Sequence, residues 1–240
     1  MLPSAHANTI QQQETNTNAS AILTFYRQLK PDFDAGPDIV TMNPFTDTSS
    51  WELTTAFYRK YYSDENPRTL IFGINPGRFG GGVTGIPFTD PIRLESACGI
   101  PNSCKKQAEL SSQFIYTMIE AYGGAGEFYN NYFITALSPL GFTKSGKNLN
   151  YYDDKYLMAN IKSFICDSIE KQLKIFPSEE CFCLGEGTNF KYFTRLNEET
   201  KYFKNIIALP HPRWIMQYRR KRMQEFIELF VNKLKMKNAK

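Results

Sequence analysis

The sequence predicts an α/β fold, a three-layer α/β/α sandwich around a central, mainly parallel sheet of four strands. Short apolar runs that are typical of buried strands alternate with longer segments of helical periodicity. This alternation indicates βαβ units, which place helices on both faces of one sheet. The 240 residues are 42% hydrophobic, which is enough for one core, so we expect a single domain over residues 20–240.

Each element follows from its local pattern and its start and stop signals. Ser49 or Ser50 is expected to cap the second helix, and residues 141–148 are expected to form a loop. The predicted strands are 69–74, 131–140, 181–185 and 205–209, and the predicted helices are 19–29, 49–62, 108–122, 153–176, 189–197 and 219–235. Because parallel strands end at the same edge, the segments that follow them should converge on one site.

The start of the chain and its cysteines limit the class of protein. Residues 1–19 are polar, without the features of a secretory signal, and we expect a disordered tail. No apolar run approaches the ~20 residues of a membrane span. Five cysteines without a CxxC pair, beside only His6 and His211, argue against a metal site, so we expect no metal or cofactor. Unpaired cysteines fit a reducing compartment, the bacterial cytoplasm or a eukaryotic nucleus.

Positive charge is concentrated at the end of the chain. Residues 201–240 hold eleven Lys and Arg against two Glu, a net of +9, so the other 200 residues sum to −5 within the total of +4. The run "RWIMQYRRKR" (213–222) mixes aromatic and basic residues. Such a patch suits a nucleic acid backbone, although a solvated helix face is the alternative.

One segment combines many glycines with a single asparagine. "GINPGRFGGGVTGIPF" (73–88) holds six glycines, two prolines and Asn75 directly after a predicted strand. Glycines allow another group to approach the backbone closely, which favours a binding loop. A long structural turn is the alternative. A phosphate-binding loop is less supported, because neither of the usual glycine motifs is present.

This segment resembles the first motif of the single-strand-selective monofunctional uracil-DNA glycosylases, and "LPHPRW" (209–214) lies where that family has its second motif. "TMNPF", "AELSSQF" and "YFITALSPLGFTKSGKNL" are similar to family segments in the same order, so the resemblance spans about residues 20–232. The mismatch-specific branch also uses "GINPG", but its second motif is Asn-Pro-Ser-Gly. His211 therefore favours the single-strand-selective branch.

The resemblance implies roles for particular residues. Asn75 would orient the attacking water, and His211 would donate a hydrogen bond to the leaving base. The alternatives are an Asx-type turn residue and a loop histidine bonded to backbone. Base-pocket positions would be Ile74, Gly77, Phe79, Phe88 and Ala136. Phe88 would stack on a flipped base, the amides of Ile74 and Phe88 would read its edge, and Gly77 would leave room where the uracil-specific branch has tyrosine.

Two departures from the family pattern concern recognition. Ala136 stands where the family usually has an asparagine that reads the base, so specificity for uracil is in question. The basic run replaces Ser-Pro-Arg after the His-Pro pair. We expect Arg213, Trp214 and Met216 to fill the space left by a flipped base. Other expected DNA contacts are Lys144, Lys147, Arg219, Arg220 and Arg222, with ordinary loop lysines as the alternative for the first two.

The sequence thus predicts a monofunctional DNA glycosylase for uracil or related bases. We expect DNA as the partner, no membrane association and a monomer. A DNA-binding module that kept the fold but lost base recognition is the main alternative. A hydrolase of free nucleosides is a third, against which the basic C-terminal segment argues.

Overall fold

The computed structural model describes residues 17–238 of the chain. Its centre is a parallel four-stranded sheet in the order β3-β2-β6-β7, and a smaller antiparallel sheet has the order β1-β4-β5. The strands are β1 (Ile39–Met42), β2 (Thr69–Gly73), β3 (Tyr132–Ala136), β4 (Gly141–Lys144), β5 (Lys147–Leu149), β6 (Glu180–Leu184) and β7 (Asn205–Leu209).

The helices surround the parallel sheet, and two 3₁₀ segments (Pro44–Thr46 and Arg220–Arg222) join them. In chain order they are α1 (Asn18–Arg27), α2 (Thr48–Tyr62), α3 (Gly81–Thr84), α4 (Pro91–Ser96), α5 (Leu110–Tyr122), α6 (Gly124–Asn131), α7 (Lys155–Asn160), α8 (Lys162–Ile175), α9 (Thr188–Thr200), α10 (Pro212–Tyr218) and α11 (Met223–Asn238).

Neighbouring residues of β3 demonstrate the three layers. Phe133 packs against Tyr58 of α2, with ring centroids 6.1 Å apart. The adjacent Tyr132 packs against Phe128 of α6 at 5.4 Å and donates a 2.7 Å hydrogen bond to the Leu234 carbonyl of α11. Because successive strand residues point to opposite faces, helices cover both faces of the sheet. The predicted fold class is confirmed.

The first two helices, α1 and α2, begin differently from the sequence prediction. Helix α1 begins at Asn18, inside the segment expected to be a tail, because the Thr17 side chain accepts a hydrogen bond from the Ser20 amide. Residues 1–16 of that expected tail, including His6, lie outside the described residues. Helix α2 is capped by Asp47, which accepts from the Ser50 amide at 2.8 Å, and not by Ser49 or Ser50.

The expected loop at 141–148 is a β-hairpin. Strands β4 and β5 pair around Ser145 and Gly146, whose φ angles of 50° and 71° are those of a two-residue type I′ turn. Strand β1 adds to the outer side of β4. The strand expected over 131–140 therefore ends at Ala136, and the chain re-enters the antiparallel sheet at Gly141.

The structure divides one long predicted helix and adds a helix before the last one. The segment 153–176 forms α7 and α8, which meet at Ile161. The basic run begins a separate helix, α10, with His211 as its cap and Pro212 at its first position. Proline suits this position, because an amide there would have no hydrogen-bond partner within the helix. This separate helix positions the second motif. Within residues 17–238, no helix is long and apolar enough to cross a membrane.

Candidate active site

A cavity opens where the parallel strands end. The segments after β2, β3 and β7 form it, together with the β4–β5 hairpin and the start of α5. Of the residues singled out in the sequence, the ones that line this cavity are Ile74, Asn75, Gly77, Phe88, Ala136, His211 and Arg213. The structure therefore brings together two motifs that are more than a hundred residues apart in sequence.

Backbone groups hold the Asn75 side chain from two sides. Its Nδ2 donates to the Leu149 carbonyl at 3.2 Å, and its Oδ1 accepts from the Tyr151 amide at 3.1 Å. A carbonyl accepts and an amide donates, so these partners determine which end of the side-chain amide is which. Tyr151 is itself buried, with its hydroxyl donating to Asn189 Oδ1 at 2.8 Å. The amide is thus fixed by the hairpin, and it makes no Asx-type turn bond.

Helix α2 and Thr84 hold the glycine-rich loop. Ser50 donates to the Val83 carbonyl at 2.7 Å, and the Thr84 hydroxyl donates to the Thr89 carbonyl at 2.7 Å. Gly85 has a φ of +73° and lies so close to Thr54 that a side chain there would collide with its hydroxyl. These contacts explain why the loop needs a Thr-Gly pair before Ile-Pro-Phe.

Phe88 is pressed against the end of β2. A Cβ atom at Gly73 would lie 2.7 Å from Phe88 Cε2, so only glycine leaves room for the ring at this distance. Phe88 also has a φ of 55°, in the left-handed region that non-glycine residues rarely occupy. Such strain is typically tolerated where a side chain must be held in a required place. The ring lines the cavity, 6.4 Å from the His211 ring between centroids.

His211 is neutral and has a defined tautomer. Burial, with a smaller contribution from the charge of Arg213, lowers its pKa to about 4. Its Nδ1 accepts a hydrogen bond from the Arg213 amide at 3.2 Å, so the ring proton is on Nε2. No group of the described chain is hydrogen-bonded to Nε2. The backbone contact expected for an ordinary loop histidine is therefore present, and it leaves the donor free for a ligand.

The cavity also contains polar side chains that the sequence analysis did not single out, namely Glu109, Ser111, Asn148 and Asn150. Glu109 is the most unusual of them. Its carboxyl fills the space beside Gly77, where a Cβ would lie 2.6 Å from Oε1. Burial and the nearby Asp90 raise its pKa to about 7, and Arg213 opposes this shift. The position that was expected to be open space is therefore occupied by a carboxyl group.

Two of the predicted site residues, Phe79 and Met216, do not line this cavity. Phe79 is not among the cavity residues, and the Arg78 guanidinium lies 4.2 Å from its ring. Met216 is only 6% exposed and packs inside, so this structure does not present it at the surface where DNA was expected to bind. Arg213 is exposed at the cavity, and Trp214 is 39% exposed, with the Arg219 guanidinium 4.9 Å from its ring.

The lysines and arginines predicted to contact DNA differ in whether they form ion pairs with acidic residues. Lys144 pairs with Asp154 at 3.2 Å, and Arg222 pairs with Glu225 at 2.7 Å. Lys147 and Arg220 are exposed and make no ion pair within the described chain, and Arg219 bonds only to the neighbouring carbonyl of Tyr218. Within residues 17–238, no group of three His, Cys, Asp or Glu side chains could hold a metal ion. All five cysteines are free thiols.

The architecture and the place of the site define the class, an open α/β enzyme that works at the carboxyl edge of its parallel sheet. The chain belongs to the uracil DNA glycosylase superfamily, whose family model matches residues 59–235. It is therefore a DNA glycosylase, a hydrolase of N-glycosyl bonds that serves base excision repair.

A solved structure narrows the comparison. The crystal structure of wild-type SMUG2 from Pedobacter heparinus superposes on this chain with a TM-score of 0.91. The two sequences are 44% identical, and the match covers 94% of this chain and 100% of that chain. This likeness confirms the resemblance to the single-strand-selective monofunctional branch. A search of curated proteins found no match.

Proposed function

We propose that the protein hydrolyses the N-glycosidic bond of uracil, and of at least one other deaminated or oxidised base, in DNA. One observation carries this proposal: Asn75 and His211 meet in one cavity, and backbone groups orient both side chains. Among residues 17–238, no lysine lines this cavity, which fits a monofunctional enzyme that uses water as its nucleophile.

Asn75 acts on the water. An amide cannot serve as a base at neutral pH, so its contribution is orientation of the nucleophile. Water forms a bond to C1′ of the sugar while the bond from C1′ to the base nitrogen breaks. The electron pair of that bond leaves with the base, and the water proton passes to solvent or to the released base. The two backbone contacts of Asn75 prevent its amide from rotating during this step.

His211 acts on the leaving base. Negative charge develops on the base oxygen as the bond breaks, and Nε2–H can donate to it. A neutral imidazole is sufficient, because a hydrogen-bond donor is required and no full proton transfer is needed. A preorganised donor of this kind is typically worth ~3 kcal/mol of transition-state stabilisation.

The pocket holds a base that is flipped out of the helix. Phe88 provides the stacking face, and the amides of Ile74 and Phe88 read the base edge. Ala136, 4% exposed at the end of β3, contributes no hydrogen bond where the family has an asparagine. Recognition therefore relies less on side chains that are specific for uracil, and xanthine is a candidate second substrate. Its urea-like edge resembles that of uracil.

DNA binds along the face formed by α10 and the hairpin tip. Arg213 and Trp214 are exposed near the cavity and would fill the gap left by the flipped base. Arg219, Arg220 and Lys147 contact phosphates. The ion-paired Lys144 and Arg222 contribute less.

The test is a glycosylase assay under single-turnover conditions. Oligonucleotides carry uracil, xanthine, hypoxanthine or 5-hydroxymethyluracil at one position, in single and double strands. We expect release of uracil and of at least one other base. Binding without release of any base would overturn the proposal and would support the DNA-binding module instead. Release from free nucleosides at a comparable rate would support the nucleoside hydrolase.

A further inference from the structure

Glu109 lies in the cavity in an arrangement that its place in the sequence does not require. It precedes α5 at the cap position, yet its side chain accepts no hydrogen bond from that helix. The carboxyl instead lies between the backbones of Gly77 and Gly80, where a Cβ on either glycine would collide with it. No donor of the described chain is hydrogen-bonded to either carboxyl oxygen. Glu109 is partly exposed and lines the cavity, so its carboxyl is open to a hydrogen bond from a ligand bound there.

Asp90 explains why Glu109 occupies this place. Asp90 is fully buried, and its Oδ1 accepts from the Arg93 amide at 2.8 Å, which caps α4. Its Oδ2 accepts from the Glu109 amide at 2.9 Å. The main chain of Glu109 is therefore anchored from a rigid helix start, and the side chain extends towards the glycine-rich loop. The same contact brings a second acidic group near the Glu109 carboxyl.

We propose that Glu109 is a specificity-determining residue, whose carboxyl hydrogen-bonds to a polar group on the edge of the flipped base that faces the glycine-rich loop. The inference rests on the proposed function. Given Phe88 as the stacking face and His211 at the base oxygen next to the glycosidic bond, Gly77 borders the edge that carries C5 of a pyrimidine or N7 of a purine. The partner would be N7 of a purine, or a hydroxyl group attached through C5 of a pyrimidine.

The protonation state suits both partners. Burial and Asp90 disfavour the Glu109 carboxylate, while Arg213 across the cavity favours it, and the resulting pKa of about 7 leaves a large protonated fraction at neutral pH. His211 is neutral and adds no charge. A protonated carboxyl can donate to the N7 lone pair, whereas a carboxylate can accept from a hydroxyl. Glu109 thus supplies polar recognition at one edge of the base, and Ala136 supplies none at another.

The experiment compares two pairs of substrates whose bases differ at this edge alone. One pair is 5-hydroxymethyluracil and uracil, and the other is xanthine and 7-deazaxanthine. Single-turnover release is measured for the full chain and for Glu109→Ala, Glu109→Gln and the control Glu198→Gln. Glu198 is an exposed glutamate near the end of α9, at the opposite edge of the sheet.

We expect Glu109→Ala to lower the preference for the polar member of each pair by about tenfold, the effect of one hydrogen bond. Glu109→Gln keeps a donor and an acceptor and should restore part of that preference, while Glu198→Gln should not change it. Unchanged preferences in Glu109→Ala, or wild-type release of uracil without release of either polar base, would overturn the inference. Absence of release from every substrate by the wild type would instead refute the proposed function.

Discussion

The cavity has two walls that are built differently. On the wall to which we assign bond cleavage, called the cleavage wall, Asn75 and His211 are each held by backbone donors or acceptors in one orientation. On the reading wall, Ala136 offers only a methyl group, and the Glu109 carboxyl has no partner within the described chain. The first wall is preorganised and the second is left open to its ligand.

This difference separates the demands of bond cleavage from those of recognition. Every substrate of a glycosylase develops charge at the same atoms, so the groups that stabilise that charge gain from being fixed. The base edge varies with the substrate, and a site that lacks a specific amide there discriminates less. We therefore expect changes on the cleavage wall to lower all rates, and changes on the reading wall to alter ratios between bases.

The largest effect is expected on the cleavage wall. Asn75→Ala and His211→Ala should each lower base release by ~10²-fold or more, for every base that is cleaved. Single-turnover release at saturating enzyme measures this, with circular dichroism as the control for folding. Asn205→Ala is a matched control, because Asn205 is an exposed asparagine at the opposite edge of the sheet. Rates near wild type in both variants would refute the assignment of these residues.

An intermediate effect is expected at Phe88, which lines the same cavity. Gly73→Ala places a methyl group within 2.7 Å of the Phe88 ring, so the ring must shift from its present position. A displacement of this size should lower release by roughly tenfold, since misplacement by ~1 Å can cost up to ~10²-fold. Gly126→Ala is the control, because a Cβ at Gly126 meets nothing within 4 Å. If both variants release base at the wild-type rate, then the position of Phe88 is not critical.

Binding to DNA should depend on salt through the arginines that have no acidic partner within the part of the chain that the structure describes. Replacing Arg219 and Arg220 together with alanine should flatten the log–log dependence of affinity on salt, by up to ~0.9 for each phosphate of duplex DNA that is no longer neutralised. Arg222→Ala should flatten it less, because Glu225 already neutralises Arg222. Fluorescence anisotropy with DNA that contains an abasic site would measure the slopes. Equal slopes in all variants would indicate a solvated helix face.

The smallest effect concerns stability. The pKa of Glu109 is about 7 in the folded chain and lies near 4.5 when unfolded, so folding favours the protonated form. This contribution is complete below pH 4.5 and is lost as the pH rises through 7. The melting temperature of Glu109→Gln minus that of the wild type should therefore be larger at pH 8 than at pH 5. Thermal melts at both values test this, and a difference independent of pH would contradict the shifted pKa.

The sequence was most informative where local pattern decides the structure. The central strands were predicted from apolar runs, and β7 has the predicted bounds at Asn205–Leu209. The hairpin was missed, although the Ser145–Gly146 pair is a turn signal and the flanking residues alternate. The short helix Pro212–Tyr218 was also missed, although a proline after a capping residue commonly begins a helix.

The site was predictable in part, for a physical reason. Asn75 and His211 follow strands directly, so the topology alone brings them to one edge. Glu109 precedes a helix, where an acidic side chain is usually explained by the helix dipole. Its approach to Gly77 depends on the bond between Asp90 and its own amide, a tertiary contact that no local pattern reveals. Met216 was assigned to DNA because it lies in a basic run, whereas the helix period turns it inward.

The most direct test of the two-wall account is the ratio of single-turnover rates for uracil and xanthine, in the wild type and in Ala136→Asn. The account predicts that the wild type releases both bases. Restoring the amide should shift the preference towards uracil by ~1–3 kcal/mol, the cost of an unmade buried hydrogen bond. Release of uracil alone by the wild type, or a ratio that does not change in Ala136→Asn, would show that another group reads the base and would contradict the account.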